Sequence, residues 1–219
     1  MDINAFTNAA GGICFPNPNA PTGLAVSKSD IESLLQRYTT GVVLVDEAYA
    51  DFGSETSIGL IDQYPNLLVT RTFSKVRSLA GMRIGAAFGD AKLISAIASV
   101  KNSFNSYPLD AVAQAAAVAS VADDAYYQNC KDRVIKTRTE LSEALQARGF
   151  KVLDSAANFI FVSPVNTSVQ ASELFDGLNQ HNILVRYWPQ DPIKDWLRIS
   201  IGTDDDTARL ITAIDQVLS

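Results

Sequence analysis

Histidine is nearly absent from this sequence: His181 is the only one in 219 residues, and Cys14 and Cys130 are the only cysteines. That scarcity argues against His-rich metal sites, zinc clusters and a disulfide framework. An excess of basic charge is also missing. Eighteen Lys and Arg face twenty-four Asp and Glu, a net charge of −6, which disfavours a nucleic-acid partner or an anionic membrane surface. No long hydrophobic run occurs. The most apolar stretch, Ala111 to Ala122, is interrupted by Gln114 and Ser120 and falls short of the roughly 18 to 20 residues that span a bilayer; it reads as a packed helix. Met1 is followed by Asp2 and polar residues, with neither the basic nor the apolar region of an export signal, so the expected location is the cytoplasm. Asn166-Thr167-Ser168 has the form of a glycosylation acceptor but no secretory context. What the sequence does have is 47% apolar residues, enough for one large core or two small ones. Any chemistry must come from Lys, Arg, Asp, Tyr, Ser or a cofactor.

Short apolar runs alternate with helical periodicity through the first half. Strands are predicted at Gly12 to Phe15, Val42 to Val45, Leu67 to Thr70 and Ile84 to Phe88. Val42 to Val45 has no polar alternation and reads as a strand covered on both faces. A helix is predicted over Ser27 to Tyr38, with Ser27 or Ser29 as N-cap and Glu32 three residues after Ser29. The alternation predicts an α/β domain with a mainly parallel sheet. Helices then dominate: Lys92 to Phe104, Pro108 to Val121, and Asp124 to Arg148, closed by Gly149. The last third mixes strands at Phe150 to Leu153, Asn158 to Val162, Ile183 to Arg186 and Trp196 to Ile201 with helices at Ser168 to Gln180 and Asp204 to Leu218. That is a smaller α+β unit. The division expected is residues 1–120 and 121–219, with the boundary inside the helical region around 110–130.

In an open α/β sheet, ligands bind beyond the carboxyl ends of the strands. Three such ends carry the most unusual residues of the chain: Asn17 to Gly23 after the first strand, Asp46-Glu47-Ala48-Tyr49 after the second, and Arg71 to Lys75 after the third. An anion, a cation, a phenol and several hydroxyls gathered in one crevice suggest a bound, charged ligand, because burying either charge alone is costly.

These segments resemble the fold-type I pyridoxal-phosphate-dependent aminotransferases, and within them the histidinol-phosphate aminotransferases. The resemblance is carried by NPNAPTG at Asn17 to Gly23, VVLVDEAYADF at Val42 to Phe52, TRTFSKVRSLAGMRIG at Thr70 to Gly85, ANFIFV at Ala157 to Val162, ILVRYW at Ile183 to Trp188 and LRISIG at Leu197 to Gly202. It implies a partial cofactor-binding large domain followed by the small C-terminal domain. Pyridoxal 5'-phosphate is the implied cofactor, and no metal is implied. Lys75 would bond the cofactor aldehyde and carry the proton between substrate Cα and cofactor C4′. Asp46 would keep the pyridine nitrogen protonated, and Tyr49 would hydrogen-bond the cofactor's phenolic oxygen. Thr72, Ser74 and Arg83 match the phosphate-binding set, where hydroxyls and a guanidinium fork give several donors together. Arg198, Arg186 and Asn158 would face the substrate, Arg198 taking a carboxylate and Arg186 the substrate phosphate. The implied reaction is ping-pong transamination between histidinol phosphate and 2-oxoglutarate or glutamate in histidine biosynthesis. The partners would thus be a small-molecule amino donor and a 2-oxo acid acceptor, in a homodimer when full length. His181 reads as a capping or surface residue.

Two departures stand out. Most relatives have asparagine just before Pro-Thr-Gly, donating to the phenolic oxygen; here that position is Ala20, so Asn17 or Asn19 takes over, or Tyr49 serves alone, and Asn19 is kept as a candidate. The resemblance also implies a long portion ahead of the NP…PTG loop, with the amides that cup the phosphate and the ring that stacks on the pyridine, to which nothing in this sequence corresponds. Three other readings therefore stay open: an aromatic or other α-amino-acid aminotransferase, a threonine-phosphate decarboxylase, or a catalytically inert chain.

Overall fold

A computed structural model describes residues 3–6, 10–105 and 107–219. The chain divides into two compact units, Met1–Asn19 with Ala25–Cys130, and Ala20–Leu24 with Lys131–Ser219.

The first unit is built on four strands, β1 (Gly12–Pro16), β2 (Val42–Asp46), β3 (Leu67–Thr72) and β4 (Gly85–Gly89), in spatial order β1-β2-β3-β4. The first three are parallel and β4 is antiparallel, so the sheet is mainly parallel as the alternating pattern predicts. Helix α1 (Lys28–Arg37) crosses from β1 to β2 and is capped by Ser27, whose hydroxyl accepts from Asp30 N; of the two serines weighed from sequence, Ser27 is the cap. Ile31, Leu34 and Leu35 of α1 bury against Ile13, Phe15, Val43, Val45, Leu67 and Val69 of the strands, a face-to-stripe packing that supplies this unit's core.

The opposite face of the sheet is thinly covered. Val42 and Leu44 are only half-buried and Cys14 is exposed, so the expectation that β2 is covered on both faces fails within this chain. The helices α2 (Ala91–Phe104) and α3 (Ala111–Ala122) form where predicted, yet α2 buries no residue and α3 only Ala113. Phe104 is 78% exposed and Val118 72%. The Ala111–Ala122 segment is therefore helical but not packed: its alanines and valines have no facing layer among the described residues. No helix among those residues is long and apolar enough to cross a membrane.

Helix α4 (Asp124–Gln146) ends in the second unit. There β5 (Lys151–Val152), β6 (Phe159–Ser163), β7 (Arg186–Tyr187) and β8 (Leu197–Ser200) form an antiparallel sheet of order β5-β6-β8-β7. The strand predicted at Ile183 to Arg186 is shorter and later than expected. Helices α5 (Ala171–Gln180) and α6 (Asp204–Leu218) cover one face, where Ile160, Val162, Leu197 and Ile199 meet Leu174, Leu178, Leu210 and Ile214. Alternation along the strands sends Phe159, Phe161 and Arg198 to the other face. His181 is the exposed C-cap residue of α5.

Candidate active site

The parallel register aligns the carboxyl ends of β1, β2 and β3: Pro16 pairs with Asp46, and Asp46 with Thr70. The antiparallel pairing of Thr72 with Gly85 brings the residues just before β4, Arg83 among them, to that same edge. Asp46, Tyr49, Thr72, Ser74, Lys75 and Arg83 therefore share one sheet edge, because strand register dictates it.

Asp46 accepts through Oδ1 from Ala48 N at 3.1 Å and from Thr70 Oγ1 at 3.3 Å. Those bonds orient the carboxylate while Oδ2 accepts no hydrogen bond among the described residues. Lys75 Nζ lies 5.2 Å from the centre of the Tyr49 ring, a cation over a π face, and forms no ion pair among the described residues. Half-burying a lysine side chain with no carboxylate partner among the described residues is costly. Thr72 Oγ1 accepts from Ser74 N at 3.1 Å, a local turn bond. Arg83 takes a left-handed conformation at φ 55° and donates Nη1 to Ala80 O at 3.0 Å, leaving its remaining donors exposed. Asn17 is wholly buried and engaged with Val26, its Oδ1 accepting from Val26 N at 2.8 Å and its Nδ2 donating to Val26 O at 3.1 Å. Asn19 is the asparagine left to consider.

Sequence reasoning missed what lies beneath this edge. The deeply buried anion is Glu47, 1% exposed, not Asp46. Arg71 Nε and Nη2 donate to Glu47 Oε2 at 3.2 and 3.1 Å, while Arg71 Nη1 reaches Asp51 Oδ1 at 2.9 Å. Thr56 Oγ1 and Ser57 N also donate to Glu47. Tyr127 of α4 donates its hydroxyl to Asp51 Oδ1 at 2.8 Å. Burial, that hydrogen bond and the nearby carboxylate push the Tyr127 phenol up to about 12. The guanidinium of Arg77 sits 4.4 Å from the Tyr127 ring centre. Part of the charge that suggests a ligand is thus satisfied internally. The available signal was register: Glu47 and Arg71 each follow a member of the Asp46/Thr70 pair.

In the second unit, Arg186 and Arg198 are direct cross-strand partners. Arg198 Nε is buried without a hydrogen-bond partner among the described residues, and its guanidinium lies 5.0 Å from the Phe159 ring centre and 5.8 Å from that of Trp188. Asn158 precedes β6, and its carbonyl accepts from Ile201 N at 2.9 Å. Arg138 donates to Ala157 O at 2.7 Å, fixing the turn before Asn158; burial lowers the pKa of its guanidinium. Among the described residues no three His, Cys, Asp or Glu side chains gather as metal ligands.

Lys75 thus stands at the carboxyl edge of a mainly parallel sheet, and an antiparallel-sheet unit follows it in the sequence. The chain matches the aminotransferase class I and II family over residues 2–214, and it belongs to that family. A histidinol-phosphate aminotransferase of Chromohalobacter salexigens is 46% identical over 217 residues, 99% of this chain and 61% of the relative. Histidinol-phosphate aminotransferase 2 of Burkholderia mallei is 48% identical over 217 residues, 99% of this chain and 60% of the relative. Among solved structures, the Sinorhizobium meliloti histidinol-phosphate aminotransferase in complex with pyridoxal-5'-phosphate superposes with a TM-score of 0.85 at 27% identity, over 96% of this chain and 58% of that one. The chain spans about three fifths of the length of these curated relatives.

Proposed function

We propose that this chain carries the cofactor lysine and the acid-binding arginines of a pyridoxal-phosphate-dependent aminotransferase acting between histidinol phosphate and 2-oxoglutarate or glutamate in histidine biosynthesis. The observation that carries the reading is Lys75, whose Nζ lies over Tyr49 with no ion-pair partner among the described residues, at the same sheet edge as Asp46, whose Oδ2 accepts no hydrogen bond among those residues. The names of the similar enzymes support the substrate, and the Sinorhizobium meliloti complex supports the cofactor.

The side chains fit such a group. Pyridoxal phosphate, when bound, supplies an electron sink for the electrons released at substrate Cα. Asp46, held through Oδ1 by Ala48 N and Thr70 Oγ1, would keep a proton on the pyridine nitrogen. Tyr49 and Asn19 are the donors at hand for the phenolic oxygen, and Ser74, Thr72 and Arg83 for the phosphate. Lys75 would carry the proton between substrate Cα and cofactor C4′. Arg198 and Arg186 bind the acidic ends of the two substrates in turn, and Asn158 orients them. The homodimer and the cytoplasmic location that the resemblance implies belong to the same proposal.

The test is to add pyridoxal phosphate to the 219-residue chain, reduce with borohydride and map the modified peptide. Label confined to Lys75, and lost in Lys75→Arg, is the expected result; no label, or label scattered over several lysines, overturns the cofactor assignment. Turnover of an aromatic amino acid with none of histidinol phosphate overturns the substrate.

A further inference from the structure

The two arginines of the second unit are placed in a way that strand pairing alone disfavours. Arg186 and Arg198 face each other directly across β7 and β8, and like charges in that position repel. Neither forms an ion pair among the described residues, and Arg198 Nε is buried with no acceptor among them, whereas buried donors in folded proteins nearly always have a partner.

One side chain offsets this arrangement. The Trp188 ring lies 5.9 Å from the guanidinium carbon of Arg186 and 5.8 Å from that of Arg198. Trp188 is two residues beyond Arg186, on the same side of an extended segment. It is itself held: Phe161 meets it edge-on at 6.5 Å, Trp196 stacks on Phe161 at 5.1 Å, and Lys151 lies 5.6 Å from the Trp196 ring. A ring buttressed from behind and carrying two cations is a rigid platform, and tryptophan provides the strongest cation–π face of the aromatic residues.

We propose that Trp188 is a positioning residue, whose ring sets Arg186 and Arg198 side by side so that one acidic group of a substrate meets both guanidinium groups at once. This rests on the proposed function only for the identity of that acid, a phosphate or a carboxylate. Two forks converging on one group select an anionic phosphate or carboxylate end over an aromatic side chain.

Binding of inorganic phosphate and of glutarate to the cofactor-free chain, measured by calorimetry, tests the platform independently of Lys75. Trp188→Leu is expected to weaken both ligands about five- to thirtyfold, and Trp188→Phe, which keeps a ring, about two- to fourfold. The protein has two tryptophans, so Trp196→Phe leaves Trp188 as sole reporter; its emission should shift with the same midpoint as the calorimetric titration. Native affinity in the leucine chain overturns the proposal. So does native affinity in the phenylalanine chain, which decides the matter should the leucine chain not fold. A silent Trp188 emission during measured binding, or no binding of either ligand by the wild-type chain, overturns it too. If the affinity ratios hold and Lys75 takes no label, the aminotransferase reading falls while the platform stands; the reverse pair of results removes the platform alone.

Discussion

Arg71 grips Glu47 with two nitrogens, Nε at 3.2 Å and Nη2 at 3.1 Å from the same carboxylate oxygen, and spends its third on Asp51 at 2.9 Å. The Glu47 side chain is fully buried and that of Arg71 a quarter exposed, so the pair ties β2 to β3 directly behind the candidate site. Removing one partner of a buried pair leaves the other charged and unsatisfied, at a cost of about 3 to 5 kcal/mol. Arg71→Met is expected to lose roughly 3 kcal/mol in urea unfolding, less than the upper end because Thr56 Oγ1 and Ser57 N still hold Glu47. A loss under about 1 kcal/mol would show that those two donors suffice.

Tyr127 supplies a pH-dependent contribution. Its phenol is raised to about 12 by burial and by Asp51, against about 10 in an unfolded chain. Between those values the folded chain keeps a proton that the unfolded chain has released, so its contribution is full below about pH 10, falls as pH rises from 10 to 12, and changes no further above that. Tyr127→Phe should lower the urea midpoint at pH 8 and flatten its decline between pH 10 and 11.5. Parallel declines in the two proteins would remove Tyr127 as the cause.

Much of the fold was legible, for identifiable reasons. Val42 to Val45 and Asn158 to Val162 are short β-favouring apolar runs, and the Asp204–Leu218 helix carries a helical periodicity, each strong enough to set its type, and Lys75, Asp46 and Tyr49 stand in motifs whose spacing resembles a family. The illegible parts depend on pairings far apart in sequence. Nothing local tells that Arg71 meets Glu47, that Tyr127 reaches Asp51, or that Arg186 and Arg198 are opposed across β7 and β8. The apolar run Ala111–Ala122 shows the complementary failure: composition states what a helix prefers to bury, but not whether a facing layer is present in the same chain.

Gly23 closes the NPNAPTG loop at φ +78°, and a Cβ there would stand 2.4 Å from Ser155 Oγ and 3.2 Å from Ser155 Cα. Its carbonyl accepts from Ala156 N at 2.9 Å, so the backbone cannot move off without losing that bond. The left-handed conformation alone costs a side chain about 1 to 2 kcal/mol, and the approach to Ser155 adds to it. Gly23→Ala is expected to destabilise the second unit by about 2 to 3 kcal/mol. Adding Ser155→Gly should recover the part due to the Ser155 hydroxyl and Cβ and leave the Cα approach and the conformational part, and a double-mutant cycle measures that recovery.

The bare helices of the first unit have a measurable consequence. Val100, Phe104, Tyr107, Val112, Val118 and Val121 are all more than half exposed, along α2, α3 and the turn between them. Exposed apolar side chains in this number bind apolar probes and other apolar surfaces, since water is driven off both. The 219-residue chain at neutral pH should therefore enhance the fluorescence of an anionic naphthalene dye. Val112→Lys with Val118→Lys should cut that enhancement by about half or more while far-ultraviolet circular dichroism stays unchanged, because neither side chain supports the helix from inside. Undiminished dye binding in that variant would locate the apolar surface elsewhere, with the thinly covered sheet face around Cys14 and Leu44 the next place to probe.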